Sequence, residues 1–253
     1  MPGHTQVTFV GNEGVVVATP GGTVAIDALF GHGAMDFTFA PDAVIDAVEA
    51  ARSPFDTIDA VLATHFHPDH FNPRSVGRHL RARPGTRFVS TPQACALLDR
   101  KDPSFEEMSP RVTAVYPPEG KRRSVLVGGI RIDAFRLSHG RVNFGSVEQV
   151  GFVVYAGGVS VLHLGDGIID ERTLDAVGVL DEQLDAAFLP FWYLTHDYGK
   201  RLMENRLRPK QVFAVHIPPP RQALIESEVS AFMPAAIALV RPMATYRIPP
   251  NNS

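Results

Sequence analysis

The chain has 253 residues, of which 45% are apolar and 20% charged, as expected for a globular protein of one or two domains. Its net charge of −3 gives no electrostatic reason to expect nucleic acid or an anionic membrane as a partner. No apolar run reaches the roughly 20 residues needed to cross a bilayer. The single cysteine, Cys95, excludes an internal disulfide. The first residues do not form a signal peptide, so we expect a cytoplasmic protein, or an exported one if a signal peptide has been removed.

The first half of the chain predicts strands followed by helices. Two valine-rich runs flank the turn Pro20-Gly21-Gly22 and predict a β-hairpin. Residues 41–52 have apolar side chains at helical spacing, with Pro41 in the predicted first turn. Residues 58–63 predict a buried strand, and Asn72-Pro73 predicts the N-cap of a helix that runs to about Arg83.

The second half of the chain contains further short apolar runs between helical segments. We predict strands at 86–90, 111–116, 124–127, 130–137, 150–155, 159–164, 186–189 and 212–215, and helices at 170–178 and near 197–206. The predicted strands and helices do not alternate strictly, so we expect a layered α/β arrangement with helices packed outside the sheets. No linker, repeat or low-complexity tract divides the chain.

A dense group of metal-binding residue types follows the strand predicted at 58–63. The sequence Thr64-His65-Phe66-His67-Pro68-Asp69-His70 contains three imidazoles and one carboxylate within six residues. These polar groups are too many to bury without a partner, and they are ligands that Zn²⁺ accepts. Because these residues lie in a turn, His65 and His67 can face one point while Asp69 and His70 face a second point. The alternative is a solvated, histidine-rich turn.

This His-x-His-x-Asp-His motif resembles that of the metallo-β-lactamase superfamily, whose remaining motifs occur in the same order. A histidine follows the strand at 130–137 (His139), a Gly-Asp pair follows the strand at 159–164 (Asp166), and a histidine follows the last predicted strand (His216). Within the superfamily, residues 162–166, 189–190 and 207–210 are most similar to the branch of ascorbate-6-phosphate lactonase and N-acyl-phosphatidylethanolamine phospholipase D. The resemblance covers nearly all of residues 1–253 and implies one domain with a four-layer αββα sandwich.

The resemblance also implies two metal positions and a function. The first position would be held by His65, His67 and His139, and the second by Asp69, His70 and His216, with Asp166 bridging both. Two divalent ions, expected to be Zn²⁺ with Mn²⁺ or Fe²⁺ as alternatives, would form a metal-bound hydroxide that attacks an ester, lactone, amide or phosphodiester. Asp69 could orient this hydroxide. His67 stands where diiron flavoproteins of this fold have glutamate, which favours a hydrolase.

Two other functions remain open alongside this hydrolase. One is a β-lactamase-like or thioesterase-like activity on the same centre. The other is a metal-binding scaffold or sensor without catalysis, against which the complete ligand set argues. The oligomeric state and the native metal do not follow from the sequence.

Two aromatic segments are candidates for substrate recognition. Residues 29–39 carry Phe30, Met35, Phe37 and Phe39, and they would form either an apolar lid or part of the core. Residues 191–197 (FWYLTHD) contain the only tryptophan, and Tyr193 or His196 could donate a proton to the substrate. The alternative is that Thr195 caps a helix and the aromatic side chains pack in the core. We expect a small-molecule substrate with an apolar or aromatic part.

Four further histidines have no assigned role. His163 lies within a predicted strand, where a buried histidine more often supports a metal ligand or packs in the core than binds metal itself. His4, His32 and His79 lie outside every motif.

Overall fold

Two seven-stranded β-sheets form the centre of the protein, which the computed structural model describes over residues 5–32, 40–140 and 146–248. The first sheet contains β1 (Thr5–Gly11), β2 (Gly14–Thr19), β3 (Gly22–Ile26), β4 (Ile58–Ala63), β5 (Arg87–Ser90), β6 (Val112–Ala114) and β14 (Thr245–Ile248). The second contains β7 (Arg122–Val127), β8 (Ile130–Leu137), β9 (Gln149–Ala156), β10 (Val159–His163), β11 (Ala186–Pro190), β12 (Gln211–Val215) and β13 (Ala236–Ala238).

The order and direction of the strands bring several strand ends to one edge of the sandwich. The first sheet has the order β14-β1-β2-β3-β4-β5-β6, and the second has the order β13-β12-β11-β10-β9-β8-β7. Strands β3 to β6 run parallel, and so do β10 to β13, while the remaining neighbours are antiparallel. Strand β8 is antiparallel to β9, which is antiparallel to β10, so β8 and β10 point the same way. The carboxyl ends of β8, β10, β11 and β12 therefore share one edge.

Helices cover the outer face of each sheet. They are α1 (Asp42–Glu49), α2 (Pro73–Ala82), α3 (Pro92–Lys101), α4 (Phe105–Met108), α5 (Glu171–Ala176), α6 (Asp197–Leu202) and α7 (Gln222–Phe232). The first four pack with strands of the first sheet, and the last three pack with strands of the second. A third apolar cluster fills the space between the sheets. This confirms the four-layer αββα sandwich that the sequence predicts.

Alternating side chains explain why each sheet has two buried faces. In β2, Val15 and Val17 join the cluster between the sheets, whereas Val16 joins the cluster under the helices. Strand β8 shows the same division, with Ile132 facing inward between the sheets and Phe135 facing the helices. Because successive side chains of a strand point to opposite faces, a strand covered on both sides must be apolar throughout.

The predicted elements that frame the site are confirmed. The hairpin appears as antiparallel β2 and β3, and the strand predicted at 58–63 is β4. Asn72 caps α2 by accepting hydrogen bonds from the backbone N–H groups of Arg74 and Ser75. No helix in the described ranges is long and apolar enough to span a membrane.

Candidate metal centre

Six loops that follow strand ends surround the candidate metal centre. The turn after β4 carries the His-x-His-x-Asp-His motif, and it leads directly into α2. The loops after β8 and β10 are joined by backbone hydrogen bonds from Gly140 N–H to the Asp166 carbonyl (3.0 Å) and from Ile168 N–H to the Ser138 carbonyl (2.7 Å). The loop after β12 reaches the turn after β1, where His216 N–H donates to the Asn12 carbonyl (3.1 Å). The turn after β3 completes the wall.

The structure brings all seven predicted ligands together in two groups. The first group contains the imidazoles of His65, His67 and His139, and the second contains Asp69 with the imidazoles of His70 and His216. Asp166 belongs to both groups, and within each group one ligand atom per residue lies within 4.8 Å of all the others. This division matches the two positions predicted from the sequence. That metal binds there stays a prediction.

Distances within the two groups show where the ligand atoms converge. The Nε2 atom of His65 lies 2.9 Å from Nδ1 of His67, and Nε2 of His139 lies 3.5 Å from Oδ2 of Asp166. The other oxygen of Asp166 lies 3.3 Å from Nε2 of His216. Each oxygen of Asp166 therefore faces a different group, which is the arrangement that a bridging carboxylate requires.

At the point where the second group converges, two buried polar atoms have no hydrogen-bond partner among the described residues. They are Nε2 of His70 and Oδ1 of Asp166, which lie 3.6 Å apart. An unpaired buried polar atom costs about 1–3 kcal/mol, so such atoms are uncommon unless a ligand or an ion satisfies them. Imidazole nitrogens and carboxylate oxygens suit a divalent transition metal. The residues present therefore fit the metals that the sequence implies.

Asp27, in the turn after β3, orients His70 and was not singled out from the sequence. Its buried carboxylate accepts hydrogen bonds from the backbone N–H of Thr64 (2.7 Å) and from the Thr64 hydroxyl (2.6 Å). Nδ1 of His70 lies 2.8 Å from the same carboxylate. With Nδ1 protonated and donating to Asp27, Nε2 is the nitrogen of His70 that faces the second group and would bind metal there after losing its proton. Such a carboxylate fixes both the tautomer and the orientation of a metal-binding histidine.

The turn after β1 contributes two more residues that the sequence analysis missed. Asn12 donates hydrogen bonds to both the backbone carbonyl and the side-chain Oδ2 of Asp69, at 3.2 Å each. Glu13 is fully buried, and its carboxylate has no hydrogen-bond partner among the described residues. Burial raises the pKa of Glu13 well above its usual value, although the nearby His70 opposes that shift.

His163 supports the site from behind. One ring nitrogen, Nδ1, accepts a hydrogen bond from Gly165 N–H (3.2 Å), and Nε2 donates to the Glu13 carbonyl (3.0 Å). Both nitrogens are thus used within the protein, and burial lowers the pKa of the ring. The structure places His163 where the sequence analysis favoured it, as a buried supporting histidine.

Backbone conformation at the site departs from the usual regions. Asn12, Asp27 and His216 have φ angles of 50°, 48° and 61°, in the left-handed region that few residues other than glycine adopt. Gly165 also has positive φ (53°), and a Cβ atom there would lie 2.4 Å from the Thr64 hydroxyl oxygen. Such residues cluster at functional sites, where the surrounding structure holds them in place.

The electrostatic environment differs between the two groups. Burial lowers the pKa of His65 well below its usual value and that of His139 to about 4, so both are neutral at pH 7. In the second group, burial would also lower the pKa of His70, but Asp69, Asp166 and Asp27 together raise it well above the usual value. Burial opposes the ionisation of Asp69, yet His70 and His216 hold its pKa below the usual range.

Aromatic side chains border the second group. The ring of Trp192 packs edge to face against His216, with 5.2 Å between ring centroids. The hydroxyl of Tyr193 accepts a hydrogen bond from Ile169 N–H (3.0 Å) and lies 3.5 Å from the Gly167 carbonyl, so it contacts the loop that carries Asp166. A contact of Tyr193 with the substrate stays a prediction.

His196 and Thr195 lie further along the same segment. His196 is exposed and is itself the N-cap residue of α6, so the alternative that gave Thr195 this place is wrong. The Thr195 hydroxyl instead lies 3.0 Å from Nδ1 of His196 and 3.4 Å from the Phe191 carbonyl. A catalytic role for His196 stays a prediction.

The other aromatic segment is described only in part. Phe30 is buried in the cluster under the helices of the first sheet, as the packing alternative expects. Met35, Phe37 and Phe39 lie outside the described residues, as does His4.

The remaining two histidines lie away from the ligand groups. His32 contacts Asp42 (2.8 Å) and Asp46 (3.4 Å), both in α1. His79 is buried in α2, where Nδ1 lies 2.6 Å from the Val48 carbonyl.

Comparison with solved structures shows that the fold is shared along the whole chain. An isothiocyanate hydrolase from Delia radicum gut bacteria is 15% identical with a TM-score of 0.65, covering 97% of this chain and 100% of the other. Igni18, a metallo hydrolase from the archaeon Ignicoccus hospitalis, is 18% identical with a TM-score of 0.60, covering 96% and 98%. The diiron β-hydroxylase CmlA from Streptomyces venezuelae is 17% identical with a TM-score of 0.55, covering 98% and 55%.

The family of the chain follows from its sequence. No curated protein matches the chain significantly. The family model of the beta-lactamase superfamily domain, however, matches residues 23–224, which include every predicted ligand of both groups. The chain therefore belongs to the β-lactamase superfamily and has the αββα fold that it shares with metal-dependent hydrolases.

Proposed function

We propose that this protein is a hydrolase that uses two divalent metal ions held by the seven residues of the candidate metal centre. The observation that carries the proposal is the shared Asp166, whose two oxygens face two separate groups of imidazoles. Membership of the β-lactamase superfamily supports a metal-dependent hydrolase, and the intact ligand set supports activity over a scaffold role. Zinc is the proposed metal, because five imidazoles and two carboxylates suit it.

Each group would hold one ion, with Asp166 between them. His65, His67 and His139 would bind the first, and Asp69, His70 and His216 the second. Bound there, two divalent ions supply a hydroxide nucleophile near neutral pH and polarise the bond to be cleaved.

The residues of the chain provide orientation and selectivity around this chemistry. Asp69 is anchored by Asn12 and stays ionised, so it can accept a hydrogen bond from the attacking water. Asp27 holds His70 in one tautomer. Trp192, packed against His216, offers an aromatic surface to an apolar part of the substrate. The substrate would therefore be a small molecule with an apolar or aromatic portion.

For the bond that is cleaved, we propose an ester, lactone, amide or phosphodiester. The similarity of residues 162–166 and 207–210 to the lactonase and phospholipase D branch supports this range. The fold shared with an isothiocyanate hydrolase adds isothiocyanates to the substrates worth testing. His67 occupies the position that is glutamate in diiron flavoproteins of this fold, which supports hydrolysis over oxidation chemistry.

Metal content and a substrate panel test the proposal together. Elemental analysis of the purified protein should find close to two equivalents of a divalent transition metal. His67→Ala should empty mainly the first position and His216→Ala mainly the second. A panel of lactones, esters, amides, phosphodiesters, thioesters, β-lactams and isothiocyanates should show turnover that a chelator abolishes and added metal restores.

Three results would contradict or redirect the proposal. Absence of bound metal, together with no gain in thermal stability when Zn²⁺ or Mn²⁺ is added, would refute the metal centre. Two bound metals without turnover on any substrate class would favour a scaffold or sensor. Turnover confined to β-lactams or thioesters would favour the alternative hydrolase activities.

A further inference from the structure

A groove opens beside the first ligand group, between α3 and the segment that enters β9. It has a volume of about 470 Å³. Phe66 forms its inner wall. This residue stands between the two ligand candidates His65 and His67, and its ring lies 5.2 Å from the His67 ring. Phe66 therefore links the groove to the first ligand group of the candidate metal centre.

Helix α3 supplies the outer wall with a single face. Gln93, Ala96, Leu97 and Arg100 line the groove, and their spacing of three, four and seven residues places them on one side of a helix. The opposite side of α3, with Ala94, Cys95 and Leu98, is buried in the core. Of the groove-facing side chains, Ala96 and Arg100 are exposed, and Leu97 is only partly buried against the core.

Three hydrogen bonds join the start of α3 to the segment that enters β9. Gln93 N–H donates to the Glu148 carboxylate (2.7 Å), and Glu148 N–H donates back to the Gln93 side chain (2.9 Å). The Gln93 amide also donates to the Ser146 carbonyl (2.7 Å). These bonds fix α3 against the segment that enters β9 before any ligand binds. The negative charge of Glu148 accepts a backbone hydrogen bond at the N-terminus of α3, where the helix dipole stabilises it.

The charged group at the far end of the groove is Arg100. It is exposed, and no carboxylate among the described residues forms an ion pair with it. Gln93 and Arg100 are seven residues apart, which is about 10 Å along a helix. The groove is thus lined by Phe66, which neighbours the first ligand group, by Ala96 and Leu97, and by the guanidinium of Arg100.

We propose that this groove is a substrate subsite for an apolar body that ends in an anionic group. The apolar body would lie on Phe66 and Leu97, and the anionic end would pair with Arg100. The proposal rests on the proposed function, because the bond to be cleaved would lie at the metals next to Phe66. It adds a requirement that the proposed function does not contain, namely a negative charge on the part of the substrate that lies against Arg100.

Fluorescence titration with a matched pair of probes tests the subsite directly. The probes are 6-(dansylamino)hexanoate and its primary amide, which differ only in the terminal charge. The protein is titrated as purified and again with excess chelator, since the carboxylate could otherwise bind the metals. In both conditions the acid should bind about threefold to fivefold more tightly than the amide, as for an exposed ion pair.

Two variants with matched controls on the same helix locate the binding. Arg100→Gln should abolish the preference for the acid, whereas Lys101→Gln, one position around the helix, should retain it. Ala96→Trp should fill the groove and weaken binding of the neutral amide at least tenfold, whereas Asp99→Trp should leave it unchanged.

Several outcomes would overturn the subsite. They are no binding of either probe, equal binding of acid and amide, equal effects of Arg100→Gln and Lys101→Gln, or an Ala96→Trp variant that binds normally. Failure of the proposed function would appear elsewhere, as a lack of metal or turnover in a protein that still binds the probes. The two ideas can therefore fail separately.

Discussion

Replacing Asp27 with asparagine should weaken one metal position and spare the other. The Asp27 carboxylate accepts from Thr64 N–H, from the Thr64 hydroxyl and from Nδ1 of His70, all within 2.8 Å. Asparagine keeps one acceptor oxygen and replaces the other with an NH₂ group. The retained oxygen can still accept from Thr64 N–H, and the hydroxyl can rotate to accept from the NH₂ group. The ring of His70 cannot adjust in this way, because its Nδ1–H would face the NH₂ group of the asparagine, which is also a donor.

The magnitude follows from this one lost interaction. A buried donor left without an acceptor costs about 1–3 kcal/mol of folding stability. If the ring avoids that cost by moving its proton to Nε2, the nitrogen that should bind metal is no longer available. Changes to carboxylates that support metal-binding histidines lower metal affinity about tenfold to 100-fold. We therefore expect a loss of that size at the second position, which contains His70, and little change at the first.

Competition titration against a chromophoric chelator measures both affinities. Wild type, Asp27→Asn and His70→Ala are compared, with His70→Ala defining the complete loss of the second position. Asp102→Asn is the matched control, because Asp102 is also buried but accepts hydrogen bonds from Arg81 on α2, and it should lower stability alone. Equal losses at both positions, or unchanged affinity in Asp27→Asn, would refute the role given to Asp27.

Three further predictions concern the bridge, a buried histidine and the aromatic rim. Asp166→Asn removes the one charge shared by both groups, so both metal affinities should fall and turnover should drop by orders of magnitude; near-normal turnover with two bound metals would contradict the bridge. Burial lowers the pKa of His79 below its ordinary 6.5, so the unfolded chain takes up this proton first and wild-type stability should fall as pH drops below 6.5. His79→Asn keeps a donor for the Val48 carbonyl, and denaturant unfolding from pH 5 to 7 should show a shallower loss for it than for wild type; parallel curves would count against this account. Trp192→Ala should raise KM with metal content unchanged, and unaltered kinetics on the best substrate would show that the ring only packs against His216.

Elements with local signals were predictable from the sequence. The Asn72-Pro73 pair marked the start of α2 because an asparagine cap and a first-turn proline act within three residues. The same signal occurs at Thr91-Pro92, where Thr91 accepts from Ala94 N–H, and the sequence analysis overlooked it. Helix α7 has no side-chain cap at its start, and β13 and β14 have three and four residues, too few to show a pattern.

The ligand candidates were predictable for a different reason. Their motifs resemble those of the metallo-β-lactamase superfamily and occur in the same order, and each follows an apolar strand, so the resemblance implied that they converge at one edge of the sandwich. Asn12, Glu13 and Asp27 follow strands of the same edge, but each is a single polar residue in a turn and resembles an ordinary turn residue in the sequence. Only their contacts with Asp69, His70 and Thr64 distinguish them.

Signals for the groove beside Phe66 were also present but divided between distant segments. Gln93 and Glu148 are 55 residues apart, and nothing local indicates that their side chains and backbones exchange hydrogen bonds. The aromatic segments instead drew attention, since tryptophan and clustered phenylalanines stand out in composition. The groove contains the charged group of Arg100, whereas the sequence analysis expected only an apolar or aromatic part in the substrate.

The two metal positions should fill in a fixed order, because their charges differ before any metal binds. Burial keeps His65 and His139 neutral, so the first position offers imidazoles that are already uncharged at pH 7. The second position holds His70, whose pKa is raised by Asp69, Asp166 and Asp27 despite its burial, so an incoming ion must displace a proton there. Because a ligand must lose its proton to bind, affinity at the second position should rise with pH between 6 and 8, while affinity at the first stays nearly constant. Calorimetric titration of chelated protein in buffers of different ionisation enthalpy would count the protons released by each ion. Release of a proton by the ion that binds more tightly would refute the predicted order of filling. His70→Ala should abolish the pH-dependent binding of the second ion, whereas His67→Ala should retain it.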